Sequence, residues 1–180
     1  MRLGFSTASQ WVSWATEVLS STEYAPSLLQ KMMGGPGSGV MSKDEARDVA
    51  LTVAMVVNRV PSPAKELYLY MYGHDNRGEY RLEVCAALAR QRYEHRARRH
   101  ILRTRIFNEV VKGHRRFKLE NIPLGMYALA NRLGVSNKNL KQCKWPGMVR
   151  EVRKYLDIWI FQADAQITDE LVDKGFIGDR

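Results

Sequence analysis

The side chains best suited to chemistry on another molecule lie between Asn137 and Lys144, where Asn137, Lys138, Asn139, Lys141, Gln142 and Lys144 follow one another with only Leu140 and Cys143 between. Asn and Gln amides pair with adenine edges, and lysines reach guanine or phosphate, so a helix presenting this set carries major-groove reading chemistry. Such a helix must be held rigidly, and the preceding residues have the pattern that does so. Ala130 is small enough for a close helix crossing, Gly134 can take the left-handed backbone of a tight turn, and Leu140 can anchor the inner face of the second helix. Leu129, Leu133, Val135 and Cys143 fill the other expected buried positions, and Ser136 is placed to cap the second helix. The pattern predicts a helix-turn-helix; the plainer alternative is a helical hairpin whose outer face is merely solvated.

Charge supplies a second candidate surface. The chain holds 28 Lys and Arg against 19 Asp and Glu, a formal net charge of +9. Between Arg90 and Lys118 there are 11 basic residues and two acids, Glu94 and Glu109, so this one segment accounts for the whole excess. Nine of the 11 are arginines, whose planar forks match phosphate oxygens. Arg92, Arg96, Arg98, Arg99, Arg103, Arg105, Arg115 and Arg116 are the candidates for contacts with a nucleic-acid backbone. The field does not distinguish DNA from RNA. His95, His100 and His114 are interleaved here without nearby carboxylates, and are read as weak phosphate or base contacts rather than metal ligands.

Catalytic chemistry finds little support. Asp44, Glu45 and Asp48 stand at a helix start, where they complement the helix dipole. Asp164, Asp169, Glu170 and Asp173 have the composition of a divalent-ion site of a nuclease, but an acidic, frayed terminus is the reading preferred. The glycines of Gly34-Gly35-Pro36-Gly37-Ser38-Gly39 lack the Lys-Ser/Thr pair of a phosphate-binding loop and predict a linker. Cys85 and Cys143 stand too far apart, without a second pair, for a zinc site or a disulfide framework. No metal and no cofactor are expected, and no enzyme. The N-terminal residues lack the apolar core of a signal peptide, and Val49 to Val57 is too short to span a bilayer. A reducing cytoplasm and no membrane partner are therefore expected.

The elements that must position these residues are helical. Trp11, Val12, Trp14, Ala15, Val18 and Leu19 share a face and predict a helix from about Ser9 to Leu19, capped by Ser6 or Ser9. Ser42 stands three residues before Glu45, the spacing of a capping box, and Ala46, Val49, Ala50, Val53, Val56, Val57 and Val60 continue one face. A third helix is predicted from Pro63 to Tyr72, although Tyr68, Tyr70 and Tyr72 also alternate as in a strand. Leu82, Cys85, Leu88 and Ala89 begin a further helix able to run on through the basic segment. Trp145-Pro146-Gly147 is read as the end of the reading helix, and Met148, Val149, Val152, Tyr155, Leu156, Trp159 and Ile160 as an amphipathic helix covering the hairpin. The expected fold is all-α, a helical bundle with a C-terminal helix-turn-helix and a long basic helical segment. Its expected parts are a helical body over 1–89, the basic segment 90–118, a DNA-binding unit 119–163 and an acidic tail 164–180.

In this order the chain resembles the late-gene antitermination Q proteins of lambdoid phages. The likeness is carried by the Trp11 and Trp14 helix, the Ser42 to Val57 helix opening with Asp44-Glu45-Ala46, Leu67-x-x-Tyr70-x-x-Gly73 before a turn, and the basic region followed by a helix-turn-helix. One branch of that family carries a cysteine zinc motif; this chain departs from it and fits the zinc-free branch. The resemblance implies a factor in the cytoplasm of a bacterial host that binds double-stranded DNA near a late promoter and modifies RNA polymerase holoenzyme to read through terminators. The basic segment has no counterpart in the likeness, leaving open whether it follows DNA or nascent RNA, and whether the protein oligomerises on DNA. Exposed parts of the Trp11, Trp14 and Leu28 to Met33 patch are candidates for the polymerase contact, with burial in the core as the competing reading. Two other functions fit the same residues, a small DNA-packaging subunit and a plain helix-turn-helix repressor.

Overall fold

Among its described residues the computed structural model has eight α-helices and no strand. It describes residues 5–21, 41–74, 77–94, 102–142 and 145–178; for 90–94, 102–104, 142 and 145 the backbone alone is described. The glycine-rich stretch 34–39 and the Leu28 to Met33 patch lie outside the described residues. The expected all-α class holds.

Helix α1 (Ala8–Ser20) is capped by Thr7, whose Oγ1 accepts from Gln10 N at 3.4 Å, a residue between the predicted caps Ser6 and Ser9. Trp11 and Trp14 are 1% and 4% exposed, packed edge to face on each other and near Phe5. They belong to the core, and the alternative of a polymerase contact through them is set aside. Helix α2 (Lys43–Arg59) opens with the predicted capping box: Ser42 N donates to Glu45 Oε2 at 2.8 Å, and Glu45 N donates to Ser42 Oγ at 3.2 Å. Its buried face is Ala46, Ala50, Val53, Val56 and Val57. Helix α3 (Ala64–Tyr72) resolves the tyrosine alternation as helical, burying Leu67, Tyr68, Leu69 and Met71.

The basic segment falls across α4 (Gly78–Glu94) and α5 (Leu102–Glu120), with 95–101 outside the described residues. Two short helices follow, α6 (Met126–Leu133) and α7 (Asn137–Gln142), and then α8 (Trp145–Asp173). At 29 residues α8 is ~44 Å long. Pro146 and Gly147 occupy its first turn rather than a separating loop, because the first helical turn has no use for the N–H that proline lacks.

The segment expected to be a frayed acidic tail is instead the last turns of α8. Ala163, Ile167 and Leu171, four residues apart, are fully buried and prolong the stripe begun by Val152, Leu156 and Trp159. The acids between them have structural uses. Tyr68 Oη donates to Asp164 Oδ1 at 2.6 Å, and Arg59 Nη1 meets Glu170 Oε2 at 2.8 Å. The helix closes on Gly175 in the left-handed conformation (φ 72°), where Phe176 N donates to Leu171 O at 2.9 Å. This brings the Phe176 ring to 5.0 Å from Trp11. Helix α8 thus packs on α1, α2, α3, α4, α5 and α7, and the buried residues of the body and of the α6–α7 hairpin form one cluster. Among the described residues no helix is long and apolar enough to cross a membrane.

Candidate nucleic-acid interface

The hairpin of α6 and α7 is built as its sequence requires. Gly134 has φ 66°, and the two carbonyls left open at the end of α6 are taken by the turn: Gly134 N donates to Asn131 O at 3.2 Å and Val135 N to Ala130 O at 3.0 Å. Ser136 Oγ accepts from Asn139 N at 3.3 Å, capping α7. Leu129, Ala130, Leu133 and Leu140 are buried between the two helices and α8. A Cβ at position 134 would meet nothing within 4 Å, so substitution there tests backbone strain alone. Gly134→Ala is expected to cost ~1–2 kcal/mol, read as a lowered urea midpoint, with Gly134→Asn costing less.

Anchoring by Leu140 leaves Lys138, Asn139 and Lys141 exposed on the outer side of α7. Asn137 is half-buried, and its Oδ1 is enclosed without a hydrogen-bond partner among the described residues. Gln142 is described by its backbone only, and Lys144 lies outside the described residues.

On α5, Arg105, Lys112 and Arg116 recur at helical spacing and are exposed, while Ile106, Phe107, Val110, Val111 and His114 are buried. Glu109 stands within the exposed row, and its carboxylate accepts from Arg132 Nη1 of α6 at 3.2 Å and lies 3.6 Å from Lys112 Nζ. One of the segment's two acids therefore ties α5 to the first helix of the hairpin, α6. Arg115 leaves the row: its guanidinium lies 5.1 Å from the Tyr70 ring centroid and its Nε is enclosed. Burial raises the Tyr70 pKa, and Arg115 partly offsets that rise. Arg92 and Arg103 are described by backbone alone, and Arg96, Arg98 and Arg99 lie outside the described residues, as do His95 and His100.

His114 corrects an expectation. It is 1% exposed and cannot serve as a phosphate or base contact. Burial, with Lys118 and Arg153 nearby, lowers its pKa to about 4 against the opposing pull of Asp157, whose Oδ1 is 3.6 Å from Nε2. The neutral ring is the form that folds. Below pH ~6.5 the unfolded chain takes up a proton that the folded protein refuses, so stability falls from there toward pH 4 and is level above. Urea midpoints at pH 7.5 and 5.0 should therefore differ more for the natural protein than for His114→Gln; an equal difference would remove His114 as the cause.

The sequence reading missed a further set of cations on the first turns of α8, Arg150, Arg153 and Lys154. They are interspersed with Glu151 and Asp157 on a helix read only as a cover, so only a small net charge marks them. Arg153 lies 5.7 Å from the Phe117 ring centroid. The cysteine thiol described, Cys85, is buried, and that burial pushes its pKa up to about 12, so this thiol is neutral at pH 7. Among the described residues no three His, Cys, Asp or Glu side chains converge on a common point.

Compared with family models, curated proteins and solved structures, the chain matches none. What the fold defines is an all-helical protein in which a capped helical hairpin and a basic helix row lie side by side.

Proposed function

We propose that the protein is a sequence-specific DNA-binding factor in which α7 enters the major groove and the basic segment holds the flanking phosphates. The observation that carries this is the Arg132–Glu109 pair: it joins α5, whose exposed face bears Arg105, Lys112 and Arg116, to α6 of the hairpin whose second helix exposes Lys138, Asn139 and Lys141. A left-handed glycine, a small residue four positions before it and a buried leucine six positions after it are the steric needs of a helix-turn-helix, and all three are met at Gly134, Ala130 and Leu140. In this reading, the exposed amide and ammonium groups of α7 discriminate bases, while arginines supply affinity that depends on salt rather than on sequence.

On the likeness to the lambdoid Q proteins, the biological role is transcription antitermination. The factor binds beside a promoter, engages the polymerase holoenzyme and moves with it past terminators. The test is transcription in vitro with purified bacterial holoenzyme on templates carrying a terminator downstream of the candidate binding region. Read-through that requires both the protein and that region is the expected result. Termination unchanged on every template, with DNA binding intact, would leave a repressor or a DNA-packaging subunit; the latter is favoured by a ring-shaped oligomer in solution.

A further inference from the structure

We infer that the cleft along the first turns of α8, facing the end of α5, is a phosphate-group site. Its natural occupant is a backbone phosphodiester of the duplex that α7 reads, a source that rests on the DNA-binding reading. The cleft has a volume of about 360 Å³ and is lined by Pro146, Val149, Arg150, Arg153, Lys154 and Asp157. Three cations and one acid line it, and the acid is already committed: Asp157 Oδ1 lies 2.8 Å from Lys118 Nζ. The lining therefore presents uncompensated positive charge.

Arg153 is the central group of the cleft. Its guanidinium stacks over Phe117, and its Nε and Nη2 are buried with no hydrogen-bond partner among the described residues. Buried donors are normally satisfied, and a guanidinium left unsatisfied is a standing cost to the fold. Among the described residues it also has no bound acceptor to give up, so an anion drawn into the cleft recovers hydrogen bonds without displacing any of those. Arg153 itself lines the cleft, so those donors belong to a side chain at its wall. A carboxylate would occupy one fork. A phosphate offers several oxygens in different directions, which suits Arg153 flanked by Arg150 one turn before it and Lys154 beside it. Helix α8 packs on α7, so a phosphate held here lies next to the groove-reading helix.

The test uses the full chain, natural and Arg153→Met, which keeps an apolar stem over Phe117. Duplex binding is measured across a salt series. In parallel, inorganic pyrophosphate is titrated while the arginine Nε–Hε resonances are followed by NMR, that of Arg153 being identified by its loss in the variant. The expected results are an affinity for all duplexes about tenfold lower in the variant, a salt slope smaller by about 1, and a pyrophosphate-dependent shift of Arg153 with none at Arg59, which is paired to Glu170. Duplex binding with unchanged affinity and slope, and no shift, would overturn the site and leave the DNA reading standing. A pyrophosphate shift in a protein that binds no duplex would uphold the phosphate site, assign it to a free polyphosphate and remove the DNA reading. An unchanged thermal midpoint in the variant ties its binding loss to the cleft, and Arg153→Lys, retaining charge without the fork, is expected to recover only part of it.

Discussion

Replacing Arg96, Arg98, Arg99 and Arg103 together by glutamine is expected to lower affinity for every duplex about a thousandfold at 0.15 M salt and to reduce the salt slope by about 4. Each arginine that meets a phosphate releases one condensed counterion, so the two effects share a cause and must appear together. With six to eight such contacts, the natural protein is expected to have a slope of roughly −5 to −7. Arg105, Lys112 and Arg116 stay in the variant on the exposed row of α5, so a residual slope remains. Relative preference among sequences is expected to survive, because the four side chains carry no base information. A slope that does not change, measured by fluorescence anisotropy between 50 and about 300 mM salt, would remove the segment from the interface.

The second large effect concerns the fold that positions the site. Leu156→Ala is expected to cost ~3–5 kcal/mol, since Leu156 is fully buried at the middle of α8 and its removal leaves a cavity where helices converge. That loss is a large share of the stability of a chain of this size. Because the body and the hairpin share one cluster of buried residues, both should melt together at the lower temperature. Amide exchange of α1 and α2, and of α6 and α7, supplies the two probes. Separate transitions would divide the chain into two folding units and deny that α8 links them.

Local chemistry was legible in the sequence where one or two residues decide it. The Ser42–Glu45 box needs only its own spacing, and Gly134 with Ala130 and Leu140 needs only a turn and two contacts. The tail was misjudged for a physical reason. Asp164, Asp169, Glu170 and Asp173 suggested solvent, but the information lay in Ala163, Ile167 and Leu171 between them, a stripe that gains meaning only once α1, α2 and α3 are there to cover it. Pro146-Gly147 suggests a break because both residues disfavour helix interiors, whereas the first turn tolerates them. Charge counting located the stripe from Arg90 to Lys118 but not its faces: Arg115 turns to Tyr70, His114 is interior, and Glu109 holds Arg132. It also overlooked Arg150, Arg153 and Lys154, which Glu151 and Asp157 largely offset in a sum and whose common cleft only the folded chain shows.

The division of labour between a groove-reading helix and a phosphate-holding row is tested most directly by selecting duplexes from a random pool with the natural protein and with Asn139→Ala, then sequencing what each retains. Asn139 is exposed on α7 and its backbone N–H, not its side chain, makes the capping bond to Ser136, so the substitution spares the fold. The account predicts that the natural protein enriches one motif, and that the variant relaxes that motif at an adenine-containing position while keeping the same salt slope. No enriched motif with the natural protein, or an identical motif with the variant, would contradict the assignment of base reading to α7.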